Sequence, residues 1–143
     1  MSETTGPLQG MRVVELATYF FVPSAGAALS DWGAEVIKIE HPASGDPMRG
    51  LINRGLNNEH GINYLFEQAN RSTRSIGIDL TAPGGLDLAY RLLKTADVFL
   101  TSLLPPVLEK LKLDPGSIRE LFPRLVYARG TGHGATNDAF RAA

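Results

Sequence analysis

The residues best suited to chemistry fall in three strings. Ile37-Lys38-Ile39-Glu40-His41-Pro42 runs into Gly45-Asp46-Pro47-Met48-Arg49 and gathers both signs of charge with an imidazole. Asn70-Arg71-Ser72-Thr73-Arg74 sets two guanidinium groups ahead of an apolar run that leads into Asp79-Leu80-Thr81-Ala82-Pro83-Gly84. Gly130-Thr131-Gly132-His133-Gly134 reads first as a tight turn, and second as a nest of backbone N–H groups for a phosphate. Asp46 with Arg49 reads as a local ion pair within a loop, a kind that contributes little when exposed. Arg74 reads as neutralising Asp79 or a neighbouring acid, and Lys110 as part of a solvated helix end, Glu109-Lys110-Leu111-Lys112. His60 and His133 stand far apart in sequence and no carboxylate spacing accompanies them, so no metal site is expected. Neither GxGxxG nor GxxxxGK[ST] occurs. The chain has no cysteine, which removes disulfides, thiolate metal sites and cysteine nucleophiles.

These strings need a scaffold, and hydrophobic periodicity predicts one. Met11-Arg12-Val13-Val14-Glu15-Leu16 is a β-rich run and a first strand. An aromatic turn with Tyr19, Phe20 and Phe21 follows. Pro23 suits a first helical position, small and apolar residues carry a helix over 24–32, and Gly33 fits its end. Residues 35–40 form a second strand, so strand, helix and strand make a βαβ unit with parallel strands. Residues 41–60 read as a long loop, a kind that is usually functional or mobile. A short helix over 62–69 and a strand over 74–80 come next. Thr81 is expected to cap a helix from Pro83 to Lys94 with Leu86, Ala89, Leu92 and Leu93 on one face. Residues 98–101 and 125–128 give two more strands. Between them, Pro105-Pro106 opens a helix ending near Leu111. Either Asp114 with Pro115 or Ser117 with Glu120 starts another through Phe122.

The alternation, without repeat or linker, predicts one α/β, Rossmann-like, doubly wound unit with a mainly parallel sheet. Its ligand-contacting loops lie at the carboxyl ends of the strands: 17–22, 41–49, 81–85, 102–106 and 129–134. The first of these is aromatic rather than glycine-rich, which argues against NAD there.

Composition bounds the partners. The chain has 143 residues, 43% hydrophobic and 20% charged, enough for one domain with a core. Its 14 basic and 15 acidic residues give a net charge of -1, so no field gathers nucleic acid or an anionic membrane. The polar opening lacks a basic n-region, and no apolar run reaches the ~18 residues of a membrane span. A soluble, cytoplasmic chain is expected.

The order and spacing of Gly33-Ala34-Glu35-Val36-Ile37-Lys38-Ile39-Glu40, the Gly45–Arg49 and Asn70–Arg74 strings, Asp79–Gly84 and Ala96-Asp97-Val98 resemble the class III CoA-transferase family. Pro7-Leu8-Gln9-Gly10-Met11-Arg12-Val13-Val14-Glu15-Leu16 fits the same pattern, and the resemblance covers about residues 7–134. That family includes formyl-CoA and carnitine–CoA transferases and the α-methylacyl-CoA racemases. The resemblance implies the amino-terminal, CoA-binding segment of an incomplete large domain. It implies coenzyme A or acyl-CoA as substrate with no tightly bound cofactor, a small carboxylic acid as second substrate, and a homodimer in the complete form. Carried over, the CoA contacts are Tyr19, Phe20, His41, Arg74, Ile78 and Lys110, with basic groups on the phosphates and apolar groups on the adenine. The loops depart from the family at Val22-Pro23, His41, Thr81 and Ser102-Leu103-Leu104-Pro105. The family's aspartate nucleophile lies several tens of residues past the glycine-rich loop, so Asp138 stands too close to match it. No catalytic residue is therefore expected within these residues. A racemase-type relative and a non-catalytic CoA-binding module are the alternatives.

Overall fold

Five parallel strands carry this fold. The computed structural model describes residues 6–54, 58–132 and 134. His133 and the 135–143 tail with Asp138 lie outside the described residues. In chain order the elements begin with β1 (Arg12–Leu16), α1 (Phe21–Asp31), β2 (Glu35–Glu40) and a 3₁₀ helix (Pro47–Arg54). β3 (Asn58–Glu59), β4 (Ile62–Asn63), α2 (Tyr64–Asn70) and β5 (Arg74–Gly77) follow. α3 (Gly85–Leu93), β6 (Val98–Thr101), α4 (Pro105–Lys110), α5 (Pro115–Leu121) and β7 (Val126–Arg129) complete it.

The main sheet runs β5-β2-β1-β6-β7, and all four pairings are parallel. β3 and β4 form a separate antiparallel ribbon. A parallel sheet is covered on both faces, so its strands are apolar on both. Val14, Leu16, Ile39 and Phe99 pack with Ala89 and Leu93 of α3, Leu108 of α4 and Ile118 of α5. Val13, Val36 and Leu100 pack with Val22, buried in α1, and with Leu29 of the same helix. Burying each large apolar side chain contributes about 1.5–3 kcal/mol. No helix among the described residues is long and apolar enough to cross a membrane.

The doubly wound α/β expectation holds, and local chemistry moves several boundaries. Helix α1 starts at Phe21, two residues before Pro23, which lies in the first turn where its missing N–H is still harmless. Thr81 does not cap α3. Its N–H and hydroxyl are donated to Asp79 Oδ1, and Gly84, in the left-handed region at φ 80°, stands at the N-cap. Strand β5 stops at Gly77, short of the expected 80, because Asp79 turns the chain there. Asp114, not Ser117, caps α5 by accepting the N–H groups of Gly116 and Ser117. The expected 41–60 loop contains the 3₁₀ helix and β3.

Candidate functional site

Chain direction sets where a ligand can enter. From β1 the chain crosses to β2 on one side, while β6 pairs with β1 on the other. The loops leaving β1 and β6 therefore part at their carboxyl ends and open a crevice, the usual ligand position in such sheets. Across it, the Thr18 N–H donates to Ser102 Oγ at 3.1 Å, and the Thr101 hydroxyl donates to the Leu16 carbonyl at 2.7 Å.

A cavity of about 310 Å³ lies on the β1–β2–β5 side of this seam. Leu16, Ala17, Ile39, Ile78, Leu80, Leu103 and Leu111 give it mainly apolar walls. Its polar groups include Thr18, His41, Asp79 and Thr81. His41 Nε2 lies 3.8 Å from Asp79 Oδ2, and His41 Nδ1 accepts the N–H groups of Ala43 and Ser44. Hydrogen bonds from Thr81 hold the Asp79 carboxyl below its usual range, with His41 adding to the effect. An apolar slot with a few convergent polar groups has the usual make-up of a small-molecule site.

Beneath the slot is a buried ionic network. Lys38 Nζ stands 2.7 Å from Asp46 Oδ2 and 3.2 Å from Glu15 Oε1, and it donates to Asn70 Oδ1 at 2.9 Å. Lys38, Glu15 and Asp46 are each 1% exposed. Both carboxylate oxygens are buried and face the Lys38 ammonium as their cationic partner. Burial pushes the Glu15 carboxyl up, against the pull of Lys38. Asp46 Oδ1 accepts the N–H of Tyr19 at 3.1 Å and of Met48 at 2.9 Å. Tyr19 sits in the left-handed region at φ 64°, which costs a non-glycine residue on the order of 1–3 kcal/mol. The Asp46 contact is one of the restraints on that turn.

Arg49 closes the loop from outside. It grips Glu40 with Nε at 2.8 Å and Nη2 at 2.7 Å, and its guanidinium lies 4.1 Å from the centre of the Phe66 ring. Hydrogen bonds from Arg49, and then from Ser75 and the Asp46 N–H, pull the Glu40 carboxyl down to about 2. The expected Asp46–Arg49 pair is thus replaced: Arg49 takes Glu40, and Asp46 takes Lys38.

The six residues carried over from the resemblance do not all converge. His41 and Ile78 line the slot. Tyr19 faces a second cavity across the seam, and Phe20 stands at the N-cap of α1 without lining either. Lys110 is exposed beside Leu111, which does line the slot. Arg74 lies at the amino end of β5, away from the carboxyl-end crevice, and pairs with Glu35 at 2.6 Å rather than with Asp79. Thr18 and Leu103, from the expected carboxyl-end loops 17–22 and 102–106, line the slot together with Leu111, though none of the three was among the six.

Comparisons with known proteins fit this geometry. The chain is 41% identical over 133 residues to a succinate–glutarate CoA-transferase of Agrobacterium fabrum, covering 91% of this chain and 33% of that protein. It is 38% identical over 137 residues to a cinnamoyl-CoA:phenyllactate CoA-transferase of Clostridium sporogenes, covering 94% and 32%. A hypothetical protein from Mycobacterium tuberculosis superposes with a TM-score of 0.82 at 36% identity, over 94% of this chain and 36% of that one. A CAIB/BAIF family protein from Brucella suis gives 0.81 at 35%, over 96% and 37%. The chain thus spans about a third of the length of the relatives it matches. The pattern defining CoA-transferase family III matches residues 8–143, and on that match, with these identities, the chain belongs to CoA-transferase family III.

Proposed function

We propose that this chain supplies the CoA-binding portion of an enzyme that transfers CoA between carboxylic acids. The adenine lies in the apolar slot at the seam, between the Ile78 and Leu103 walls. His41, on the rim, faces the phosphates, and Lys110, exposed beside Leu111 of the slot wall, is a second cation for them. The observation that supports this is the position of the slot at the point where the chain direction divides, with His41 and Ile78 both on its wall. Relatives named for succinate–glutarate and cinnamoyl-CoA:phenyllactate transfer support a CoA thioester and a carboxylic acid as the two substrates. Aspartyl chemistry of the family type would be completed by residues outside this chain, in a homodimeric whole protein. Isothermal titration of the purified protein with CoA tests the reading. Saturable binding, weakened by His41→Ala and by added salt, is the expected result. Absence of binding by the folded protein would sink it.

A further inference from the structure

A second cavity, of about 440 Å³, opens on the β6–β7 side of the same seam and shares Thr18 with the slot. Phe21 is 71% exposed on its wall, Tyr19 55% and Leu104 54%. Large apolar side chains exposed together around one concavity mark a binding surface. They are also held in place. Phe21 opens helix α1, and its ring lies against Gly130, where an added Cβ would come within 3.1 Å of Phe21 Cε1. Tyr19 is turned to this side by its left-handed backbone, with its N–H held by Asp46. The polar members, Thr18, Ser102 and Thr131, carry hydroxyls, and no charged side chain lines the cavity among the described residues.

We propose that this cavity receives the acyl group of the thioester and selects an apolar or aryl acyl chain over one ending in a second carboxylate. The inference rests on the CoA reading of the neighbouring slot and names the substrate class of the same site. A thioester whose nucleotide end occupies the slot reaches the cavity by crossing Thr18, the residue common to both. Aromatic and aliphatic walls favour an apolar acyl group by desolvation. Among the described residues no cation lines the cavity, so a distal carboxylate would lose its hydration without a counter-ion from them.

The test is calorimetric titration with CoA, phenylacetyl-CoA and malonyl-CoA. Phenylacetyl-CoA is expected to bind about tenfold tighter than CoA, the scale on which hydrophobic pockets discriminate, while malonyl-CoA gains nothing. In Phe21→Ala and Leu104→Ala, both at exposed positions, the phenylacetyl-CoA to CoA affinity ratio is expected to fall toward one. Equal gains for phenylacetyl-CoA and malonyl-CoA, or a ratio that survives both substitutions, would overturn the acyl assignment while the CoA slot stands. Failure of CoA itself to bind would overturn both.

Discussion

Lys38 and Asp46 meet in the interior, with Nζ 2.7 Å from Oδ2, and this contact joins the middle of the sheet to the loop beside the ligand slot. Lys38 belongs to β2, in register with Glu15 of β1. Asp46 belongs to the segment between β2 and the 3₁₀ helix, and its other oxygen holds the Tyr19 N–H. One carboxylate thus ties two of the loops that form the site to a cation the solvent does not reach.

Replacing the lysine should expose the cost of that arrangement. Lys38→Met leaves Asp46 and Glu15 buried without a cation, a loss of about 3–5 kcal/mol. Urea denaturation measures it. Adding Glu15→Gln and Asp46→Asn to the same variant is expected to restore more than half of the loss, because the buried charge is then gone. If the triple variant is no more stable than Lys38→Met, lost packing rather than unpaired charge is the cause.

Asp46 itself separates charge from hydrogen bonding. Asp46→Asn keeps an oxygen for the Tyr19 and Met48 N–H groups, whereas Asp46→Ala removes it. Amide hydrogen exchange at both residues is expected to accelerate about tenfold or more in the alanine variant and much less in the asparagine variant, in line with about 1–3 kcal/mol for an orphaned buried donor. Equal acceleration in the two variants would assign the restraint to the Lys38 ion pair instead.

Acid should find Glu40. Its carboxyl falls from 4.5 to about 2 on folding, chiefly through Arg49. A depressed carboxylate stabilises above its unfolded value, and that contribution disappears as pH falls from about 4.5 toward about 2. Glu40 is buried and Arg49 half-exposed, so roughly 2–3 kcal/mol is at stake after solvent screening. Glu15 works in the opposite direction: its raised carboxyl favours the folded state at low pH, and that benefit fades as pH rises through the folded value. Comparing the protein with Glu40→Gln between pH 6 and pH 2.5 cancels the remaining carboxylates. The variant is expected to be less stable at pH 6, with the gap closing in acid. A gap that stays constant would mean that the Glu40 carboxyl is not depressed in the folded protein.

Much of the sheet was legible because its strands are short β-branched or apolar runs, such as Val13-Val14 and Val36-Ile37, separated by capped helices. The Gly45–Arg49 string was legible as charged and ion-paired, but not for its partners. Proximity in sequence favoured Asp46 with Arg49, whereas the fold sends Asp46 inward to a lysine on β2 and leaves Arg49 for Glu40. Alternation along β2 puts Lys38 on the same face as Val36 and Glu40, a position that reads as solvent-facing unless a helix covers it. Helices α1 and α2 lie on that side, and only tertiary packing reveals it. Arg74 was legible as the first residue of its strand, the end away from the expected ligand loops; its place among the CoA contacts came from the family resemblance alone, and in the fold it pairs with Glu35.

Gly26 offers a clean probe of how closely α1 lies on the buried carboxylate. An alanine Cβ there would collide with Glu15 Oε2 and stand 3.5 Å from Val36 Cγ1. In an exposed helix interior the same change would stabilise by roughly 0.5–1 kcal/mol, through helix propensity. Here overpacking works against it at about 1–3 kcal/mol, because Glu15 is held by Lys38 and has no free space to retreat into. Gly26→Ala is therefore expected to destabilise by about 1–2 kcal/mol in urea denaturation. The sign should reverse in a Glu15→Ala background, where the side chain in its way is absent and only the helix-propensity gain remains. A double-mutant cycle reads the difference as a coupling of about 1–3 kcal/mol. A coupling near zero would place α1 farther from the sheet than the Glu15 contact requires.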